Sequence, residues 1–194
     1  MVNQEYVKDT KIKDILTYIK GIRHSEMIRM MFFCSLNGLR SINFRSLQVK
    51  DVFNNDGSAK EIIELSSSKN KGKFSAKYYV NNQFKKELES YYNYMTAKYG
   101  KKLDADTYLF TSQKMNKPFN RVSICRIFSN IYKKFGIHGA SHLGRHMFIT
   151  KMINNGINPF LVKQLANHKS VQTTQRYYNS NPVQLLNAVE TAKI

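Results

Sequence analysis

The sequence predicts a mainly α-helical protein with a small three-stranded antiparallel sheet, an α+β arrangement. Apolar residues recur at helical spacing through most of the 194 residues. Residues 48–80 break that pattern: VKDVF, EIIELSS and FSAKYYV are short runs separated by the turns NNDGS and KNKG, as strands are. A hydrophobic fraction of 42% over this length suits one domain with a real core, or one domain and a small extension.

Residues 1–8 read as a flexible lead. Asp9 or Thr10 is placed to cap a first helix whose apolar positions are Ile12, Ile15, Leu16 and Ile19, ended by Gly21. A second helix starts near Ser25 and is apolar almost all round (Met27, Ile28, Met31, Phe32, Phe33, Leu36), so it belongs at the centre of the core. It stops at Gly38. After the three strands, a helix from about Asn82 to Tyr99 carries Phe84, Leu88, Tyr91 or Tyr92, and Met95 on its apolar side. Asn120 is a candidate cap for a helix over Arg121–Phe135, with Val122, Cys125, Phe128, Ile131 and Tyr132 as its buried stripe. Asn158 before Pro159 marks a further helix start. A short helix begins near Ser170, and Pro182 opens an apolar C-terminal helix.

The charge balance is unusual. Lys+Arg number 31 against 13 Asp+Glu, a formal +18. Such an excess points to a polyanionic partner, nucleic acid before an anionic membrane surface, or to a ribosome-associated or simply basic protein. Cys34 and Cys125 each lie in an apolar helical run and read as reduced core residues, not as a disulfide or a zinc site. No signal peptide and no membrane-spanning run is apparent, and reduced cysteines are those of a cytoplasmic protein, which is the expected location.

The chemistry concentrates in SHLGRHMFITKMINNGINPFLVKQLANHKSVQTTQRYY, from Ser141 to Tyr178. His142 and Arg145 are three apart, on one face of a helix. Arginine offers a permanently charged fork for phosphate oxygens. Histidine exchanges a proton near neutral pH, and a tyrosine phenol is a competent covalent nucleophile.

HLGRH at 142–146, LANH at 165–168 and TTQRY at 173–177 resemble the tyrosine recombinase (phage integrase) family in order and spacing. The family pattern is His-x-x-Arg-His, then Leu-Gly-His, then Thr-Thr-x-x-Tyr. NGLRSINF from Asn37 is similar to the family's first box, and Arg40 matches its first arginine; Asn43 stands where the family usually has an acidic residue. The resemblance implies a catalytic lysine on the turn between the second and third strands, where Lys69, Lys71 and Lys73 compete. Lys71 precedes Gly72 and lies nine residues before Val80, as in the family, and is preferred to Lys69. The implied catalytic set is Arg40, Lys71, His142, Arg145, His168 and Tyr177. Tyr177 is the nucleophile in preference to its neighbour Tyr178, and His146 has a structural part. TYLF at 107–110 is similar to a family strand.

The resemblance further implies the family's DNA breaking-rejoining catalytic fold over residues 9–181. The C-terminal helix, 182–194, packs on its own protomer or on a neighbour. The implied activity is site-specific recombination of double-stranded DNA (integration, excision or inversion) through a 3′-phosphotyrosyl intermediate, with no metal and no cofactor. The implied partners are DNA, other protomers in a synaptic tetramer formed from free monomers, and DNA-bending accessory proteins. The location is the nucleoid, and no membrane is involved. Family members carry an N-terminal DNA-clamping domain of about a hundred residues. The chain resembles a short stand-alone type, as in fimbrial phase switches, or an excised catalytic domain. Two alternatives share the chemistry or the fold: type IB topoisomerase-like DNA relaxation, and a catalytically silent DNA-binding regulator.

Overall fold

A computed structural model describes residues 7–67, 69, 74–99, 103–111, 117–177 and 189–191. The element order among them is α1 (Asp9–Lys20), α2 (Ser25–Leu36), α3 (Ser41–Phe44), α4 (Val49–Val52), β1 (Ile62–Leu65), β2 (Ala76–Tyr79), α5 (Asn82–Tyr99), α6 (Arg121–Lys134), α7 (Leu143–Asn154), α8 (Pro159–Leu165) and α9 (Val171–Gln175). Mainly helical with a small antiparallel sheet, this is the fold class expected from the sequence.

Helix α2 is the hub. Ile28 and every residue from Met30 to Ser35 are buried on it, and α1, α5 and α7 pack around it. Phe32 stacks on Phe128 of α6 at 4.2 Å between ring centroids. Helix α1 turns Ile12, Ile15 and Ile19 into the core. Neither expected cap acts as one: Lys8 takes the N-cap position without a side-chain bond. Asp9 instead occupies the first turn, where the helix dipole favours a carboxylate, and its Oδ2 accepts from Lys151 Nζ of α7 at 2.8 Å. Val7 is buried, so packing begins before α1.

The first of the three expected strands is a helix. Gln48 and Asp51 form a capping box that nucleates α4, and the Val49 and Lys50 N–H groups donate to the carbonyls of Thr107 and Ala105. Among the described residues the sheet therefore has two strands, β1 and β2, paired antiparallel from Ile62 opposite Tyr79 to Leu65 opposite Ala76. An isolated bridge between Phe53 and Ala59 lies beside it. Residues 107–110 likewise form only a bridge, Tyr108 to Gln48.

Helix α5 runs between its expected limits, and Tyr91 is the buried tyrosine, its hydroxyl donating to Leu109 O at 2.7 Å. The stripe on α6 differs from expectation. Asn120 caps the helix, but Ile124, Phe128, Ile131 and Tyr132 are buried while Val122 is 66% exposed. Cys125 is only partly buried, its Sγ 3.3 Å from Ser141 Oγ, and Cys34 alone is a core thiol, its pKa raised by burial. Asn158 and Ser170 cap α8 and α9 as expected. Apart from residues 189–191, which are helical, the expected C-terminal helix lies outside the described residues.

Candidate active site

The site begins where α7 crosses α2. Gly144 makes the close approach possible: a Cβ there would meet Ser35 Oγ at 2.6 Å and the Leu36 amide nitrogen at 3.1 Å. Ser35 Oγ fastens the crossing by donating to Ser141 O at 2.9 Å. At the C-terminal end of α2, Gly38 takes φ 87°, with the Phe148 ring where a side chain would stand.

This packing sinks Arg145 into the protein, and its guanidinium donates to Gly38 O after α2 and to Ala166 O after α8. Arg40, at the N-cap position of α3, is partly exposed, and its Nη2 donates to Asn167 O at 3.3 Å. His168 follows α8, with Nδ1 2.9 Å from Oγ1 of the buried Thr174 on α9. Tyr177 lies just past α9, its ring 6.3 Å from the His168 ring and 4.7 Å from the His146 ring. Arg40, Arg145, His168 and Tyr177, scattered over 138 residue positions, therefore converge.

Electrostatics couple the members of the group. Burial, reinforced by nearby Arg40, lowers the Arg145 pKa to about 10, so the guanidinium stays charged at neutral pH. Burial and then the two arginines lower His168 to about 4, leaving its imidazole neutral. Tyr177 is raised by burial, although both arginines pull the other way. Among the described residues neither arginine pairs with a carboxylate. Two fixed cations, a neutral imidazole and a protonated phenol suit a multi-oxygen anion such as a phosphodiester. A cleft of about 830 Å³ opens beside them, lined by Arg40, Ser75, Lys77, Asn167, His168 and Thr173.

Among the described residues, the remaining candidates are placed less centrally. His142 is exposed at the N-cap of α7, one helical turn before His146, whose pKa is lowered by burial and then by His142. Lys69 donates to Asp51 Oδ2 at 2.6 Å and to Gln48 Oε1 at 2.7 Å, which ties it to α4. Lys71, Lys73 and Tyr178 lie outside the described residues. Asn43 is buried in α3.

Two participants were not read from the sequence. Tyr78 of β2 is buried beside both arginines, its pKa raised by burial. Asn167 holds a left-handed backbone, φ 48°, and its carboxamide bonds β2. An asparagine directly after a short helix is a signal for that conformation.

Residues 5–183 match the phage integrase family. The chain is 33% identical to tyrosine recombinase XerA of Pyrococcus furiosus over 96 residues, 48% of this chain and 34% of that protein. It is 27% identical to tyrosine recombinase XerC of Lactobacillus leichmannii over 142 residues, covering 72% of this chain and 45% of the relative. The chain thus spans less than half the length of these relatives. In fold it is similar to a crystal structure of XerA recombinase (TM-score 0.71, 24% identity, 98% of this chain and 65% of that one). It is also similar to the Tn1549 transposon integrase in complex with transposon right-end DNA (TM-score 0.71, 17% identity, 99% and 67%).

Proposed function

The chain belongs to the phage integrase family, and on that premise we propose that it cuts and rejoins DNA at specific sites, with Tyr177 as the nucleophile. The observation that carries this reading is the convergence of Tyr177 with Arg40, Arg145 and His168. These come from four elements with no local reason to meet.

The Tyr177 phenolic oxygen attacks the scissile phosphorus as the bond from phosphorus to the 5′-oxygen breaks. A 3′-phosphotyrosyl linkage forms and a 5′-hydroxyl leaves. Arg40 and Arg145 balance charge developing on the non-bridging oxygens, and their mutual repulsion is relieved once the phosphate lies between them. With its pKa raised by burial, Tyr177 stays protonated until attack, and a histidine, for which His142 is the candidate, takes its proton. His168, oriented by Thr174, bonds a phosphate oxygen. Lys71 supplies the proton for the departing 5′-oxygen. A free 5′-hydroxyl from another strand then reverses the step, so rejoining needs no nucleotide hydrolysis. The +18 charge favours DNA as partner, with binding that weakens steeply in salt. A synaptic assembly of several protomers belongs to the same reading.

The test is trapping on nicked suicide duplexes selected from random sequence by binding. We expect a covalent adduct that survives denaturation and is absent from Tyr177→Phe. An adduct in that variant would displace Tyr177 as nucleophile. Binding without any adduct in the wild-type protein would favour a silent regulator.

A further inference from the structure

We infer that Asn167 is a positioning residue: its carboxamide clamps the free edge of β2 onto the phosphate-binding side of the site. This ties the edge of β2 to Arg40 and His168, and through β2 it governs how fast Lys71 delivers its proton. The inference rests on the recombinase reading above.

Three bonds converge on this one residue. Oδ1 accepts from Lys77 N–H at 3.2 Å, Nδ2 donates to Lys77 O at 2.8 Å, and the Asn167 carbonyl accepts from Arg40 Nη2 at 3.3 Å. The sheet register explains why Lys77 needs such a partner. Val80 N–H donates to Glu61 O, and Lys77 lies opposite Glu64. Alternation along an antiparallel pair therefore turns the Lys77 N–H and C=O away from β1. The carboxamide, which offers a donor and an acceptor as a peptide group does, takes the place of a neighbouring strand. It reaches that edge from a backbone at φ 48°, a conformation open chiefly to glycine, asparagine and aspartate. The next residue is His168, whose N–H is held by Lys163 O at 3.0 Å.

One side of the clamp is thus fixed to the end of α8 and to both anion-binding arginines, since Arg145 holds the adjacent Ala166 carbonyl. The other side is β2, which is joined to β1 through residues 66–75, the segment that contains Lys71. A lysine on a turn protonates a leaving group efficiently only when its strand is held against the phosphate, and small displacements there are costly in rate.

Asn167→Gly tests the clamp, because glycine keeps the backbone conformation and deletes only the carboxamide. Two measurements decide: adduct formation on the suicide duplex, and hydrogen exchange of the Lys77 amide in the free protein. The expected result is adduct formation slowed about tenfold or more, DNA affinity changed less than about twofold, and faster exchange at Lys77. A duplex with a bridging sulfur in place of the scissile 5′-oxygen releases a thiolate that needs no general acid, so most of the lost rate should return on it. Wild-type rates in the variant, unchanged Lys77 exchange, or an equal defect on the sulfur-bridged duplex would each overturn the positioning role. A wild-type protein that forms no adduct would instead overturn the recombinase reading, and with it this role.

Discussion

The two arginines bring the same charge to one site, but the protein builds them in opposite ways. Arg145 is 6% exposed and spends its donors on two backbone carbonyls, Gly38 O and Ala166 O, so it splices the ends of α2 and α8 to α7. Arg40 is partly exposed at the edge of the cleft, and its bond to Asn167 O is long at 3.3 Å. One is a core residue that also carries a charge. The other is a charge resting on the core.

The sharpest way to break that contrast is to truncate each in turn. Both Arg145→Ala and Arg40→Ala should lower adduct formation by roughly 10²- to 10³-fold, as loss of an electrostatic contact to the transition state does. Their stabilities should diverge. Arg145→Ala leaves two buried carbonyls without donors and should cost about 2–4 kcal/mol. Arg40→Ala should cost less than about 1 kcal/mol, as a partly exposed substitution does. Urea unfolding of the two variants measures the difference, and equal losses would refute the division.

A second way is to disturb the crossing that buries Arg145 without touching its charge. At Gly144 an added methyl meets Ser35 Oγ, already bonded to Ser141 O, and the backbone of Leu36, so the helices must separate. Gly144→Ala should cost about 1–3 kcal/mol by overpacking, and adduct formation should fall with it because Arg145 shifts with α7. A stable Gly144→Ala protein with wild-type cleavage would show that the crossing tolerates movement.

Much of the fold was legible in the sequence, because its signals are local. Asn158 before Pro159, Ser170 before α9 and the apolar spacing on α5 each specify an element through its own residues. Errors arose where two patterns fit one stretch. Val122-Cys125-Phe128 and Ile124-Phe128-Ile131 are both helical spacings, and only the orientation of α6 against Phe32 selects the second. VKDVF has the β-branched look of a strand, yet the Gln48–Asp51 box and the carbonyls of Thr107 and Ala105 make it a helix. The residue types of the site could be read from the chain. The burial of Arg145, the approach of His146 to Tyr177 and the reach of Asn167 to Lys77 depend on contacts between distant segments. No spacing within one segment encodes them.

A further effect expected is a pH dependence, which separates the two arginines by proton linkage. His168 is held at about 4, against 6.5 for the ordinary side chain, by burial and by the two arginines. In the unfolded chain it takes up a proton as pH falls through 6.5, while in the folded protein it stays neutral until about 4. The unfolded state then binds more protons, so stability should decline from pH 6.5 toward 4 and be unaffected by this group above 6.5. His146, lowered by burial and then by His142, acts in the same direction. His168→Gln should flatten part of the decline in urea midpoint. Arg40→Ala should flatten it less than Arg145→Ala, because Arg145 presses on His168 more strongly than Arg40 does. A bound phosphodiester should oppose the decline, since its charge favours the imidazolium that the arginines disfavour. Parallel pH curves for wild type and His168→Gln would mean that His168 is not held neutral by this site.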